Sequence, residues 1–147
     1  MATIWDATTR QDLLRRIDKL TPDGQPQWGK MNTAQMVGHI AEPLRQAIGE
    51  LKVVLKISFL RNPIMKYLAI HVLPFPKNAP TAPEFVHAGE DDLVRNRADF
   101  RAVLDRFLAF REKNQFPEHV VFGKLSDKDW GIIMWKHIDH HLRQFGV

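Results

Sequence analysis

The 147-residue chain has no cysteine. Disulfides, thiolate zinc sites and a cysteine nucleophile are therefore excluded, so any metal must be held by nitrogen and oxygen, and any reacting thiol must come from a substrate. It also lacks an apolar run of the ~20 residues that a membrane span needs. The most apolar stretch, Val53 to Phe75, is broken by Lys56, Arg61, Asn62, Pro63, Lys66 and His71. It reads as a pair of short buried helices; the less favoured alternative is a basic amphipathic surface, with Lys52, resting on a membrane. The opening MATIWDATTRQDLL has no basic region followed by an apolar run, so no secretory signal is expected and a cytoplasmic location follows by default. The net charge of +4 is scattered among acids rather than set in a stripe with aromatics, which does not point to nucleic acid. No strand pattern of period two and no internal repeat is visible.

What is present suits one domain spanning residues 1–147, since 44% hydrophobic content in a chain this long supports one sizeable core. Thr8 or Thr9 can cap a first helix to about Leu20, ended by Thr21-Pro22-Asp23-Gly24. Asn32 and Gln35 make a capping-box-like pair opening a second helix through Ile48, with Pro43 inside it. The middle, about Leu51 to Leu73, reads as helical but broken at Asn62-Pro63. Four prolines between Pro74 and Glu84 make an extended connection. A long helix runs from about Asp91 to Lys113, and Ser126 with Asp129 starts the last one. Four main helices with one long irregular crossover predict an all-α four-helix bundle.

Seven histidines are present, and two of them carry the chemistry. His137 and His141 stand four apart in the last helix, so both imidazoles share one face. Counting about 100° per residue, Trp130, Met134, His137, Ile138, His141 and Phe145 fall in one core-facing sector. Lys136, Asp139 and Arg143 fall on the far side, where charges stay solvated, and His140 lies at an edge and is a poor ligand. A single buried histidine is ordinarily a structural group hydrogen-bonded to a carbonyl. Two on one stripe would repel if protonated, and a shared divalent cation selects their neutral forms and satisfies a nitrogen on each.

A third ligand is needed, and His39, beside Met36, Pro43 and Ala47 on the second helix, is the natural choice. His71, His87 and His119 need less regular geometry to reach the pair. Glu42, one turn beyond His39, reads as a solvated carboxylate, or else as a ligand, an acceptor behind a ligand or a general base.

Three blocks carry a resemblance: Trp28-Gly29-Lys30-Met31; Gln35-Met36-Val37-Gly38-His39; and Phe122-Gly123-Lys124-Leu125-Ser126 leading through Trp130 to His137-Ile138-Asp139-His140-His141-Leu142-Arg143-Gln144. In this order they resemble the DinB/YfiT-like superfamily, and the closing KHIDHHLRQFG is similar to an uncharacterised DinB-related branch of it. The resemblance implies a four-helix bundle and one divalent metal on three histidines, one from the second helix and two from the last. In this chain those are His39, His137 and His141. Leu142-Arg143-Gln144 replaces the Arg-Gly-Gln common elsewhere, a departure that bears on substrate and not on metal.

The chemistry implied by the resemblance is the joining of a low-molecular-weight thiol to a small electrophile, with metal-dependent hydrolysis as the alternative. A homodimer is implied by the resemblance alone. Zinc and nickel suit imidazole best, and iron and manganese also fit. Gln144 can orient a substrate or a metal-bound water, and Trp28 and Trp130 can line the pocket, though packing explains each equally well. The opposing reading is a non-catalytic, metal-stabilised binding or stress-response module, which a fully closed coordination shell would favour.

Overall fold

Asn32 begins the helix that carries the first of these histidines. Its side chain accepts from the Gln35 backbone N–H while the Gln35 side chain accepts from that of Asn32, a reciprocal cap that satisfies two otherwise orphaned donors. The computed structural model describes residues 1–55, 58–87, 91–113 and 115–147. Five α-helices are found there: α1 (Ala7–Asp18), α2 (Thr33–Ala47), the short α3 (Pro63–Tyr67), α4 (Leu93–Lys113) and α5 (Asp127–Gln144). Among the described residues there is no strand, only an isolated bridge between His119 and Gly123 that closes the loop before α5. The fold is all-helical.

Helix α2 packs chiefly on α4 and also on α5, while α1 lies against α5. The apolar faces meet in one core in which Leu13, Ile17, Met36, Ile40, Leu44, Phe100, Phe107, Trp130 and Met134 are fully or almost fully buried. Burying one such side chain contributes ~1.5–3 kcal/mol, so this core supplies the main driving force holding α2 and α5 face to face. The start of α5 follows the expected signal, with Ser126 Oγ accepting from the Asp129 N–H at 3.1 Å. No helix among the described residues is long and apolar enough to cross a membrane.

Three expectations are corrected. Helix α1 starts at Ala7 with Asp6 at its cap position, ahead of Thr8 and Thr9, which are helical. The Leu51–Leu73 region is not a pair of buried helices. Residues 51–55 have no regular structure, and Lys56 and Ile57 lie outside the described residues. A 3₁₀ turn at Phe59–Arg61, α3 and a π-helical turn at Leu68–Val72 follow. Asn62-Pro63 does break the chain, and then restarts it: Asn62 caps the N–H groups of Ile64 and Met65, and Pro63 takes the first helical position. Only Ile70 of these helical turns is buried, and Phe59 and Ile64 are 71% and 70% exposed.

The third correction concerns the outer face of α5. Asp139 is buried, not solvated, because α1 covers it: Arg16 donates to Asp139 Oδ1 at 2.7 Å. Lys136 donates to the carbonyls of Ala69, Ile70 and Leu73, closing the open end of the π-helical turn. Arg143 alone of the three stays exposed as expected.

Candidate metal centre

The α2–α5 packing brings His39, His137 and His141 together. His39 Nε2 stands 3.1 Å from His137 Nε2 and 3.1 Å from His141 Nε2. One ligand atom from each lies within 4.8 Å of the others. The rings are set edge to face, His39 against His141 at 83° and His137 against His141 at 83°, so their nitrogens converge without the rings stacking.

The outer nitrogens fix the protonation pattern. His39 Nδ1 is 2.8 Å from the Phe85 carbonyl, which can only accept, so His39 carries its proton on Nδ1. Gln144 Nε2 donates to the Trp28 carbonyl at 2.6 Å, which turns Gln144 Oε1 toward His141 Nδ1 at 2.7 Å. His141 is therefore also an Nδ1–H donor. Both Nε2 atoms then present lone pairs to each other at 3.1 Å, and no neutral tautomer turns that contact into a hydrogen bond. A cation between them resolves it.

A proton serves poorly as that cation. Burial pushes His141 down to about 3, with the nearby His39 adding to the effect. Burial likewise holds His39 below its ordinary value and His137 well below it, the latter further depressed by His141 and His39. Three neutral imidazoles, two of them with lone pairs fixed inward by Phe85 and Gln144, are a donor set for a divalent metal. Two imidazole nitrogens each ~2.0–2.1 Å from one ion stand roughly 2.9–3.4 Å apart as the angle between them opens from octahedral to tetrahedral. The observed 3.1 Å falls within that span, so the residues fit the group.

Around the three rings the support is uneven. His39 leans on Phe85 and His141 on Gln144, the arrangement by which outer hydrogen bonds orient metal-binding imidazoles. His137 Nδ1 is buried without a protein partner. Glu42 is not the solvated carboxylate expected: it is largely buried and held by Arg45 at 3.1 Å and by His87 Nδ1 at 3.4 Å. Its charge acts on His39 from one turn away and favours positive charge there. His87 approaches because residue 38 is glycine; a Cβ at Gly38 would come within 2.3 Å of the His87 ring.

The remaining candidates are placed elsewhere. His71 Nε2 meets Asp129 at 2.9 Å. His119 Nδ1 accepts from the N–H groups of Val121 and Phe122, and its ring packs on Trp130. Trp130 lies wholly buried against Phe116 and His119, a core residue and not a pocket wall. His140 is half-buried and outside the triad, between the rings of Trp28 and Phe75. Gln144 spends its amide on His141 and Trp28. Sequence reasoning missed the Phe85 carbonyl, for which side-chain identity gives no signal, and it missed Lys77, whose Nζ sits 4.5 Å over the Trp28 ring.

These features define a class: an all-helical protein carrying a largely buried cluster of three histidines suited to a divalent cation. The chain belongs to the family described as protein of unknown function (DUF1569), whose model matches residues 6–146. No curated protein and no solved structure matches it.

Proposed function

We propose that the protein is a DinB/YfiT-like four-helix bundle that uses one divalent cation, zinc or nickel in the first place, on His39, His137 and His141 to join a small thiol to an electrophile. One observation carries the metal reading: the Nδ1–H donors of His39 and His141 are fixed by Phe85 and Gln144, which leaves two lone pairs in contact. The choice of thiol transfer over hydrolysis rests on the sequence resemblance, with a small-molecule substrate as the partner.

When bound, such a cation lowers the pKa of a thiol or water at its open position and so supplies a nucleophile at neutral pH. The donor set among the described residues stops at three histidines, which favours an open site over a closed structural one. The protein's own part is positional. Phe85 and Gln144 hold two rings in the binding tautomer, and Glu42, clamped by Arg45 and His87, places a negative charge behind His39. Burial of the rings keeps them neutral and available.

Elemental analysis of the purified protein beside a His141→Ala variant tests this, with melting curves before and after chelation. The expected result is about one equivalent of metal in the parent, lost in the variant, with a lower melting temperature after chelation. No metal in either protein after incubation with zinc or nickel, and no effect of the chelator, overturns it. A metal-loaded protein that hydrolyses esters or amides and forms no thiol adduct assigns the site to hydrolysis instead.

A further inference from the structure

The three histidines differ in exposure. His39 and His141 are 4% and 8% exposed, whereas His137 and the adjacent His140 are only partly covered. The less covered side of the cluster is therefore the one that His137 and His140 share. Phe75 and Trp28 stand along it, Phe75 5.7 Å from His137 and 5.0 Å from His140, and Trp28 5.3 Å from His140, centroid to centroid.

Lys77 brings a full charge to this rim. Its Nζ sits 4.5 Å over the Trp28 ring, and no ion pair joins it to a carboxylate among the described residues. Its position is built into the backbone. Lys77 lies in the Phe75-Pro76-Lys77-Asn78-Ala79-Pro80 turn, where Asn78 takes the left-handed conformation (φ 56°) that asparagine tolerates better than most residues. Pro76 and Pro80 fix φ on either side.

A cation stacked on an aromatic ring keeps its N–H donors for an anion, and Lys77 is exposed, so an anion from solvent can reach it. We infer that Lys77, seated on Trp28 with Phe75 and His140 beside it, is an anion-binding subsite that receives the carboxylate, or another compact anionic group, of the molecule whose reacting end meets the triad. Ring steps of 5.3 and 5.1 Å lead from Trp28 through His140 to His141, so the ligand carries its anionic group several bonds from the reacting atom. Lys77 acts as a specificity-determining residue. The inference rests on reading the triad as a substrate-binding metal site.

The test compares two probes of similar size, 3-mercaptopropionate and the neutral 2-mercaptoethanol. Each is titrated into the full-length protein, zinc-loaded and chelated, and followed by the indole N–H resonance of Trp28, assigned from a Trp28→Phe variant. The carboxylate probe is expected to shift that resonance saturably, with a half-saturation concentration about tenfold below that of the neutral probe, since one charge-assisted hydrogen bond separates them. Lys77→Ala should abolish the difference, and Lys77→Arg should restore part of it. His137→Ala should lose zinc yet keep the carboxylate-dependent shift in the chelated form. Identical curves for the two probes, or an unchanged curve in Lys77→Ala, overturn the subsite. A parent that binds no zinc but still distinguishes the probes overturns the metal reading and leaves the subsite standing.

Discussion

Gln144 Nε2 donates to the Trp28 carbonyl at 2.6 Å, and this contact decides which end of the amide His141 meets. Oε1 is turned to His141 Nδ1, and the lone pair of that imidazole is turned to the centre of the triad. Removing the amide by Gln144→Ala frees the ring to rotate and to change tautomer. Loss of such an outer partner typically weakens metal binding about 10–100-fold. Competition titration with a chromogenic chelator measures this directly, and an unchanged zinc affinity would show that Gln144 does not orient the ligand.

Gly29 makes that contact sterically feasible. Its φ is +80°, and a Cβ there would lie 2.6 Å from Gln144 Nε2. Gly49 has the same φ with nothing within 4 Å, so Gly49→Ala isolates the backbone strain, which is about 1–2 kcal/mol for a residue forced into the left-handed region. Gly49→Ala should lower stability by that amount and leave zinc affinity unchanged. Gly29→Ala should lower both, because the methyl displaces the amide. Equal zinc affinity in the two variants would separate the Trp28–Gly29 turn from the metal centre.

His119 supplies a pH signature away from the triad. Burial pushes it down to about 3, from an ordinary value of 6.5, so in the folded protein it stays neutral where the unfolded chain takes up a proton. The contribution of the neutral ring is complete above pH 6.5 and is lost as the pH falls toward 3, at up to about 1.4 kcal/mol per pH unit. His119→Asn keeps an acceptor for the Val121 and Phe122 N–H groups but cannot titrate. In urea unfolding of chelated protein, the variant should be less stable than the parent at pH 7.5. That gap should narrow by about 1–2 kcal/mol at pH 5. Parallel profiles would mean that His119 is not held neutral.

Much of the candidate site was legible because its signals are local. The Asn32–Gln35 and Ser126–Asp129 pairs mark where α2 and α5 begin, and one turn of helix separates His137 from His141. What covers each face was not legible. Helical periodicity placed Asp139 opposite the histidines correctly, but it could not reveal that α1 lies there and contributes Arg16. The same limit explains Lys136, whose partners are carbonyls of a π-helical turn. In the Leu51–Leu73 stretch, apolar composition suggested burial, whereas exposure is set by which short turns the core has room for. Phe85 entered the centre through a main-chain oxygen that residue type does not encode.

Asp139 itself gives the last prediction. It bridges Arg16 at 2.7 Å and Arg143 at 2.8 Å, but the two arginines are not equivalent: the Arg16 side chain is 17% exposed and that of Arg143 69%. Water screens the exposed pair, so Arg143→Ala should change stability by less than about 0.5 kcal/mol. Asp139→Asn removes the charge that Arg16 was desolvated to meet, while Arg16 keeps its bond to the Val147 carbonyl and a longer pair with the half-exposed Asp12 at 3.6 Å. Hydrogen bonds to charged partners contribute about 1.5–3 kcal/mol, and partial exposure places the expected loss toward the lower end. Urea unfolding of the two variants should therefore diverge, with metal content equal to the parent in both, since Asp139 lies on the face of α5 turned away from the triad. Equal destabilisation by the two changes would show that Arg16 does not clamp α1 to α5.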